Sequence, residues 1–354
     1  MKGLLLSIGV FLLSVAFTIR QDYPAGAAPE SLSAWGFFTG TIADQQPAAG
    51  VVPYRLNTPL FSDYAEKLRF VRLPAGQSVP YTPDDVLAFP VGTVLIKTFY
   101  FPTDFRQPDK GRRLLETRLL VHEATGWKAL EYVWNADQTD ATLEVAGEQT
   151  SVVYTDASGK NHRQLYVMPN LNQCKGCHNR NETLMPIGPS ARQLNGNLTY
   201  ADGTANQLTY WQQHGLLTDL PALASVPKTP VWNDPATGSL DARARAWLDI
   251  NCAHCHRPDG PASTSGLNLR HTETNPTAWG VQKTPVAAGR GSGGRQFDIV
   301  PGQPDESILV YRMESTDPGV MMPEVARKVT HREGVALIRE WIRAMNNQTP
   351  VQSR

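Results

Sequence analysis

The sequence predicts an α+β multidomain protein in which an N-terminal antiparallel β-sandwich or barrel is followed by two mainly α-helical domains. Residues 29–169 contain strand-like segments and no cysteine. Residues 170–237 and 238–346 contain segments with helical periodicity, and each region includes one Cys-x-x-Cys-His pentapeptide. At 354 residues the chain is longer than one ordinary domain, which agrees with two or three compact units.

Residues 1–28 are predicted to be a signal peptide and linker. Lys2 precedes an apolar run at residues 3–17, and small residues at 14–16 and 25–27 offer two cleavage sites for a signal peptidase. The run is shorter than a typical membrane-spanning helix. We therefore expect a bacterial protein that is periplasmic or secreted, with membrane attachment only if this segment stays uncleaved.

Residues 29–169 are predicted to form the β-rich domain. Its strand candidates are mostly rich in β-branched, aromatic and other apolar residues, and breaks such as 124–126 separate them. They span residues 68–73, 94–101, 114–123, 127–134, 141–145 and 150–155. The imperfect alternation at 94–101 predicts a strand covered on much of both faces. Trp127, Tyr132 and Trp134 are interpreted as packing residues rather than as a sugar-binding surface.

The two later regions are distinguished by helical periodicity. In residues 170–237 one clear helix is predicted at 206–217, where Leu208 and Trp211 share a face. In residues 238–346, helices are predicted at 240–250, with Ser239 as the cap, and at 306–313. A last helix begins with the capping-box pattern at Thr330 and ends near Met345. The glycine-rich stretch 289–294 predicts a flexible loop.

Two pentapeptides carry the chemistry: CKGCH at 174–178 and CAHCH at 252–256. They contain all four cysteines, so each copy uses two thiols and none is left over. The spacing is typical of haem attachment, because two thiols three positions apart bond the vinyl groups of one porphyrin while the next imidazole ligates the iron. The sequence therefore predicts two covalently bound haem c groups. The predicted cofactor-binding residues are Cys174, Cys177, His178, Cys252, Cys255 and His256, with His178 and His256 as the proximal iron ligands.

Other uses of such cysteine pairs are redox disulfides and four-cysteine zinc sites. Neither of them requires a histidine directly after the second cysteine of both pairs, so the sequence favours haem. Haem of this type is attached outside the cytoplasm, which agrees with the predicted export.

The sixth ligand of the second iron is predicted to be Met322. The proline that follows it favours an extended loop that aims the sulfur inward, and residues 257–321 leave enough chain to wrap the ring. Neighbouring Met321 is expected to pack in the core. The alternative is that both methionines are core residues, since methionine readily fills gaps.

The sixth ligand of the first iron has several candidates. Met185 also precedes a proline and follows His178 by seven positions, a reach of roughly 23–25 Å at most. We rank Met185 first, His214 second and an open iron third. Met168, in a Met-Pro pair before the motif, is a further candidate.

The charge balance limits the classes of partner. Basic and acidic side chains number 33 each, so no overall field attracts nucleic acid or an anionic membrane. The expected partners are redox proteins that dock through local patches, and the sequence leaves the oligomeric state open.

Several stretches outside the haem motifs carry a family resemblance. They are PYRLNTPLFSDY at 53–64, LETRLL at 115–120, YVWN at 132–135, PIGPSARQLN at 186–195, and RAWL at 245–248 leading through Asn251 into the second motif. On these residues the chain resembles a largely uncharacterised family of secreted bacterial diheme c-type cytochromes. The resemblance covers most of the mature chain and implies haem binding and electron transfer, with no substrate implied.

The function that the sequence favours is electron transfer through two haems. The alternative is a diheme peroxidase-like enzyme in which one iron is open and the other supplies electrons. A minor hypothesis is that the β-rich domain binds a ligand which the haems oxidise. It has little support, because His122 and His162 are expected at the surface and no cluster there has metal-ligand spacing.

Overall fold

The computed structural model describes residues 27–325 and 327–345. The predicted signal peptide therefore lies outside the described residues, apart from its last two positions. The strands are β1 (Phe38–Thr39), β2 (Gln46–Pro47), β3 (Val51–Pro53), β4 (Glu66–Arg72), β5 (Val79–Pro80), β6 (Val94–Pro102), β7 (Arg112–Glu123), β8 (Gly126–Trp134), β9 (Ala141–Glu144), β10 (Glu148–Thr155), β11 (Asn161–Met168), β12 (Asn179–Arg180), β13 (Thr183–Leu184), β14 (Asn197–Tyr200), β15 (Gly203–Asn206) and β16 (Leu217–Thr218). The α-helices are α1 (Leu171–Cys177), α2 (Ala191–Leu194), α3 (Gln207–Gln213), α4 (Leu240–Cys252), α5 (Ile308–Glu314) and α6 (Arg332–Ala344).

The main feature of the N-terminal half is an antiparallel sheet with the strand order β3-β4-β6-β7-β8-β9. Each of the six strands predicted from the sequence overlaps a strand of the structure, and five of them belong to this sheet. The sixth, β10, pairs with β11 in a separate hairpin. The sheet is open, because its edge strands β3 and β9 are not paired with each other.

The two faces of the sheet pack against different parts of the chain. On one face, Val94 and Ile96 share a core with Leu32 and Trp35 from the N-terminal segment. The opposite face carries Leu95 in a second core, in which residues of the later regions take part. The prediction that the strand at 94–101 is covered on both faces is therefore confirmed.

This second core contains residues from all three predicted regions. Tyr54 and Val71 come from the β-rich part, Leu194 and Trp211 from the segment with the first pentapeptide, and Ile250 from α4. The ring of Tyr54 meets that of Trp211 edge to face, with 6.1 Å between the centroids. The sheet and both later segments are therefore packed directly on one another.

Hydrogen bonds reinforce this junction at residues 53–64. The side-chain amide of Asn57 donates to the carbonyl oxygens of Arg192, Asn195 and Thr229, at 3.3, 3.1 and 3.2 Å. The backbone N–H of Phe61 donates to Oδ1 of Asn251 at 2.8 Å. Three of the stretches that carry the family resemblance thus meet at one place in the fold.

The prediction of two mainly α-helical domains after a sandwich or barrel is wrong. Strand (28%) exceeds helix (23%), and the six α-helices of the described chain are short. Between Cys252 and Ile308 the only helical segments are 3₁₀ turns, at Ser263–Ser265, Gly289–Ser292 and Pro304–Glu306. The chain's 27 prolines and 28 glycines favour turns and loops of this kind over long helices.

The predicted helices exist: the one expected at 240–250 begins as predicted and continues to Cys252, and the other three are shorter or shifted. Ser239 caps α4 as expected, its hydroxyl accepting from the N–H of Ala242 at 3.2 Å. The capping box at Thr330 does not form, because its hydroxyl donates to the carbonyl of Glu314 and α6 begins two residues later. The expected loop at 289–294 includes one 3₁₀ turn. In the part of the chain that is described, no helix is long and apolar enough to cross a membrane.

Candidate functional site

Both pentapeptides open into one cavity of about 690 Å³ between the sheet and the later segments. Its wall contains every cysteine of the chain and both predicted proximal histidines, namely Cys174, Cys177, His178, Cys252, Cys255 and His256. The volume is within the usual range for ligand sites in proteins. The fold therefore gathers the six predicted cofactor-binding residues around a single space.

The first pentapeptide is held by α1 and the turn after it. Asn170 and Gln173 form a capping box at the start of the helix, each side chain accepting the other's backbone N–H at 2.9 Å. His178 follows the last helical residue, and its Nδ1 lies 2.8 Å from the carbonyl oxygen of Met185. A carbonyl only accepts, so Nδ1 carries the proton and Nε2 keeps a free lone pair.

The second pentapeptide has the same arrangement with a different partner. The hydroxyl of Ser265 lies 3.0 Å from Nδ1 of His256 and 2.7 Å from the carbonyl oxygen of Ala262. Because the single hydroxyl proton is donated to Ala262, the Ser265 oxygen must accept from Nδ1–H of His256. Nε2 of His256 is therefore the atom with the lone pair. A hydrogen bond of this kind is how proteins orient metal-ligating histidines.

Both imidazoles are held in the neutral form that binds metals. Burial, followed by the charge of Lys97, lowers the pKa of His178 to about 3. Burial, followed by the neighbouring His254, lowers the pKa of His256 to about 4. Neither ring is protonated near pH 7, so both Nε2 atoms are available as ligands.

The two pentapeptides touch each other. The sulfurs of Cys177 and Cys255 and a ring nitrogen of His254 all lie within 4.8 Å of one another. The hydrogen bond from Cys255 lowers the pKa of Cys177 to about 4, and the same bond raises the pKa of Cys255. As free thiols these side chains are able to hold a metal ion. As thioethers to haem they are not, so the two chemistries exclude each other.

Loops after the two pentapeptides are joined by ion pairs. Arg180 contacts Asp259 at 2.5 Å and Asp85 at 2.6 Å, and Arg257 also contacts Asp259 at 2.6 Å. The backbone N–H of Asn181 donates to the carbonyl of Asp259 at 3.0 Å. These contacts fix the relative positions of the two motifs.

The structure separates the predicted sixth ligands into two groups. Met322 lines the cavity together with His256, while Met321 is buried at 5% exposure and lies outside the wall. Met185, His214 and Met168 do not line the cavity. Met185 instead offers its backbone carbonyl to His178, His214 is exposed and stacks on Tyr210, and Met168 packs in the core beside Phe101.

Sequence reasoning missed the basic residues that the sheet contributes to the cavity wall. Arg69 on β4, Lys97 on β6 and Arg118 on β7 all line it. One signal was available in the sequence, since Lys97 is the single charged residue in the apolar strand at 94–101. The other two require the strand register, which brings Lys97 opposite both Arg69 and Arg118.

Comparisons of the chain with protein-family models, with curated proteins and with solved structures gave no match.

Proposed function

We propose that the chain is a diheme c-type cytochrome that transfers electrons through two covalently attached haems, as the family resemblance implies. One observation carries the proposal. His178 and His256 each end a Cys-x-x-Cys-His motif and line the same cavity. In each ring the hydrogen bond of Nδ1 leaves a free lone pair on Nε2. In a four-cysteine zinc site or a pair of redox disulfides, neither histidine would need this orientation.

The residues of the chain have distinct roles in this proposal. The thiols of Cys174 and Cys177 anchor the first haem, and those of Cys252 and Cys255 anchor the second. A bound haem supplies an iron that alternates between the ferrous and ferric states. The contact between Cys177 and Cys255 supports electron exchange between the two sites, because it brings their attachment points together. Met322 is proposed as the second iron's sixth ligand.

The proposed function also implies a cellular location and a class of partner. We propose export to the periplasm or the exterior, where haem attachment takes place, and redox proteins as partners. The balanced charge supports docking through local patches rather than through a global field.

A diheme peroxidase-like enzyme is the second candidate, and one observation favours it. Of the side chains that sequence reasoning proposed for the first iron, Met185, His214 and Met168 all lie away from the cavity wall. An iron without a sixth protein ligand is open to peroxide. The two candidates differ in whether the first haem is high-spin and turns over peroxide.

The deciding experiment uses the mature protein from a bacterial host that is competent in cytochrome maturation. Mass spectrometry is expected to find two haem additions, and Cys174→Ala/Cys177→Ala and Cys252→Ala/Cys255→Ala are each expected to remove one. An unmodified mass, or bound zinc in place of haem, would reject the proposal. If haem is present, rapid peroxide turnover by the reduced protein would favour the enzyme, and its absence would favour the electron carrier.

A further inference from the structure

A row of charged side chains crosses the face of the sheet that lines the cavity. The strand register places Arg69 opposite Lys97, Lys97 opposite Arg118, and Arg118 opposite Glu131. Side chains directly opposite each other on neighbouring strands point to the same face and lie close together. Three basic side chains therefore stand side by side in the wall of the space that both pentapeptides share, and burial, followed by the charges of Arg118 and Arg69, lowers the pKa of Lys97 well below its usual value.

These basic side chains differ in whether a carboxylate is paired with them. Arg118 forms a bidentate ion pair with Glu116, at 2.7 Å from Nε and 2.6 Å from Nη2. Among the described residues, no carboxylate lies within ion-pair distance of Arg69 or Lys97. Arg69 is nevertheless only 9% exposed. Adjacent like charges on a sheet destabilise it, and a buried cation without a partner costs free energy. The cavity wall therefore lacks carboxylates to neutralise Arg69 and Lys97.

Lys97 lies near the first pentapeptide, because its charge contributes to the lowered pKa of His178. Helix α1, which carries Cys174 and Cys177, packs against β8, and β8 pairs with the strand that holds Arg118. Arg69, Lys97 and His178 all line the same cavity. A ligand that neutralises this pair must be an anion and must lie in the same space as the proposed first haem.

We propose that Arg69 and Lys97 bind the two propionate carboxylates of the haem attached at Cys174 and Cys177. This inference rests on the proposed function. Two cations meet two carboxylates, and charge-assisted hydrogen bonds to carboxylates are the strong ones in proteins. The N-terminal sheet thereby becomes part of the cofactor site. Arg118 is excluded from this role because Glu116 already occupies its guanidinium.

The test compares single-charge variants of the haem-loaded, full-length protein. Arg69→Gln and Lys97→Gln remove the proposed contacts, whereas Arg69→Lys keeps the charge. Arg113→Gln is the matched control, because Arg113 lies on the same sheet but is exposed and bonded to Ser151 and Thr150. Haem content is measured by mass spectrometry, and both midpoint potentials are measured by an optical redox titration.

Removing a nearby positive charge disfavours reduction of the iron. Arg69→Gln and Lys97→Gln are each expected to lower the reduction equilibrium constant of one haem roughly tenfold, a shift of about 59 mV for a one-electron step. The affected haem should be the one whose spectrum is unchanged by Met322→Ala. Arg69→Lys and Arg113→Gln should leave both potentials near those of the wild type.

Three results would overturn the inference. Two attached haems with unshifted potentials would reject it and leave the proposed function intact. A change of iron spin state in Lys97→Gln that Arg69→Gln does not share would make Lys97 an iron ligand instead. A wild-type protein without haem would reject this inference together with the proposed function. The mass of the wild-type protein distinguishes this result from the first one.

Discussion

The buried carboxyl pair Glu116 and Glu131 supplies a single negative charge to Arg118, and this can be tested by a double-mutant cycle. Glu116 is fully buried and accepts two hydrogen bonds from Arg118 and one from the hydroxyl of Tyr166 at 2.6 Å. Glu131 lies opposite Arg118 on β8. Burial, and then the charge of Glu116, raises the pKa of Glu131 to about 9, so its carboxyl is protonated at pH 7.

The expected magnitudes follow from counting the charge left beside Arg118. In Glu131→Gln the Glu116 carboxylate remains, so the loss at pH 7 is under about 1 kcal/mol. In Glu116→Gln the carboxyl of Glu131 is able to ionise and replace it, and the loss is about 1–2 kcal/mol. The double variant leaves Arg118 without any carboxylate and should lose about 3–5 kcal/mol.

The assay is denaturant unfolding of the full-length protein and the three variants at pH 7. The double variant must lose clearly more free energy of unfolding than the sum of the two single variants. If the losses add within about 0.5 kcal/mol, the two glutamates act independently and the shared-charge account fails.

The same pair predicts a pH dependence whose sign is opposite to that of an ordinary salt bridge. The unfolded carboxyl of Glu131 releases its proton near pH 4.5, whereas the folded one keeps it to about pH 9. Between these values the folded state binds more protons, so this group lowers the free energy of unfolding as pH rises. Relative to the wild type, Glu131→Gln should gain at least about 1.4 kcal/mol between pH 5 and pH 8, the equivalent of one pKa unit. A difference that stays constant over this range would refute the assignment.

Three further predictions concern the site and its support. Met322→Ala should abolish the long-wavelength absorption band of a methionine-ligated ferric haem and lower that haem's potential by at least about 59 mV. The control Met321→Ala should keep the band while losing about 2–5 kcal/mol of stability. Ser265→Ala removes the acceptor of the His256 Nδ1 proton, which makes the imidazole a weaker base, so redox titration should show a raised potential for the second haem only. Asn57→Ala should cost about 1–3 kcal/mol in thermal unfolding, because three carbonyls lose their donor, whereas exposed Asn161→Ala should stay within about 0.5 kcal/mol.

The strands could be predicted from the sequence because their signal is local. Segments such as 94–101 and 114–123 are long, apolar and bounded by turns, and the structure has strands at both. Whether the sheet closes is decided by pairing between distant strands, and no local pattern encodes it. The expected sandwich or barrel is an open sheet for this reason. The two helical domains were expected from helical periodicity together with the pentapeptides, and the periodic segments form only isolated short helices.

The candidate site also has features that adjacent residues predict and features that only the fold determines. The two pentapeptides and their histidines can be recognised from adjacent residues, and Met322, which was proposed because of the proline that follows it, lines the cavity. Met185 was ranked first because it precedes a proline and lies within reach, but neither property determines the direction of its side chain, which does not line the cavity. The strands β12 and β13 turn the chain back after His178, so that the backbone carbonyl of Met185 meets the ring instead. The capping box of Asn170 and Gln173 was overlooked because α1 has only seven residues.

The contacts of residues 53–64 argue against an independent β-rich module. Asp63 accepts the N–H groups of Lys328 and Val329, at 2.8 and 3.2 Å, just before α6. Phe61 stacks on His331 with 4.1 Å between the ring centroids and also bonds Asn251 directly before the second pentapeptide. One short segment of the N-terminal part therefore contacts both the residue directly before the second pentapeptide and the chain that leads into α6. Because the sheet also supplies Arg69 and Lys97 to the cavity wall, removing it would open the cavity of the proposed cofactor site rather than delete a separate docking surface.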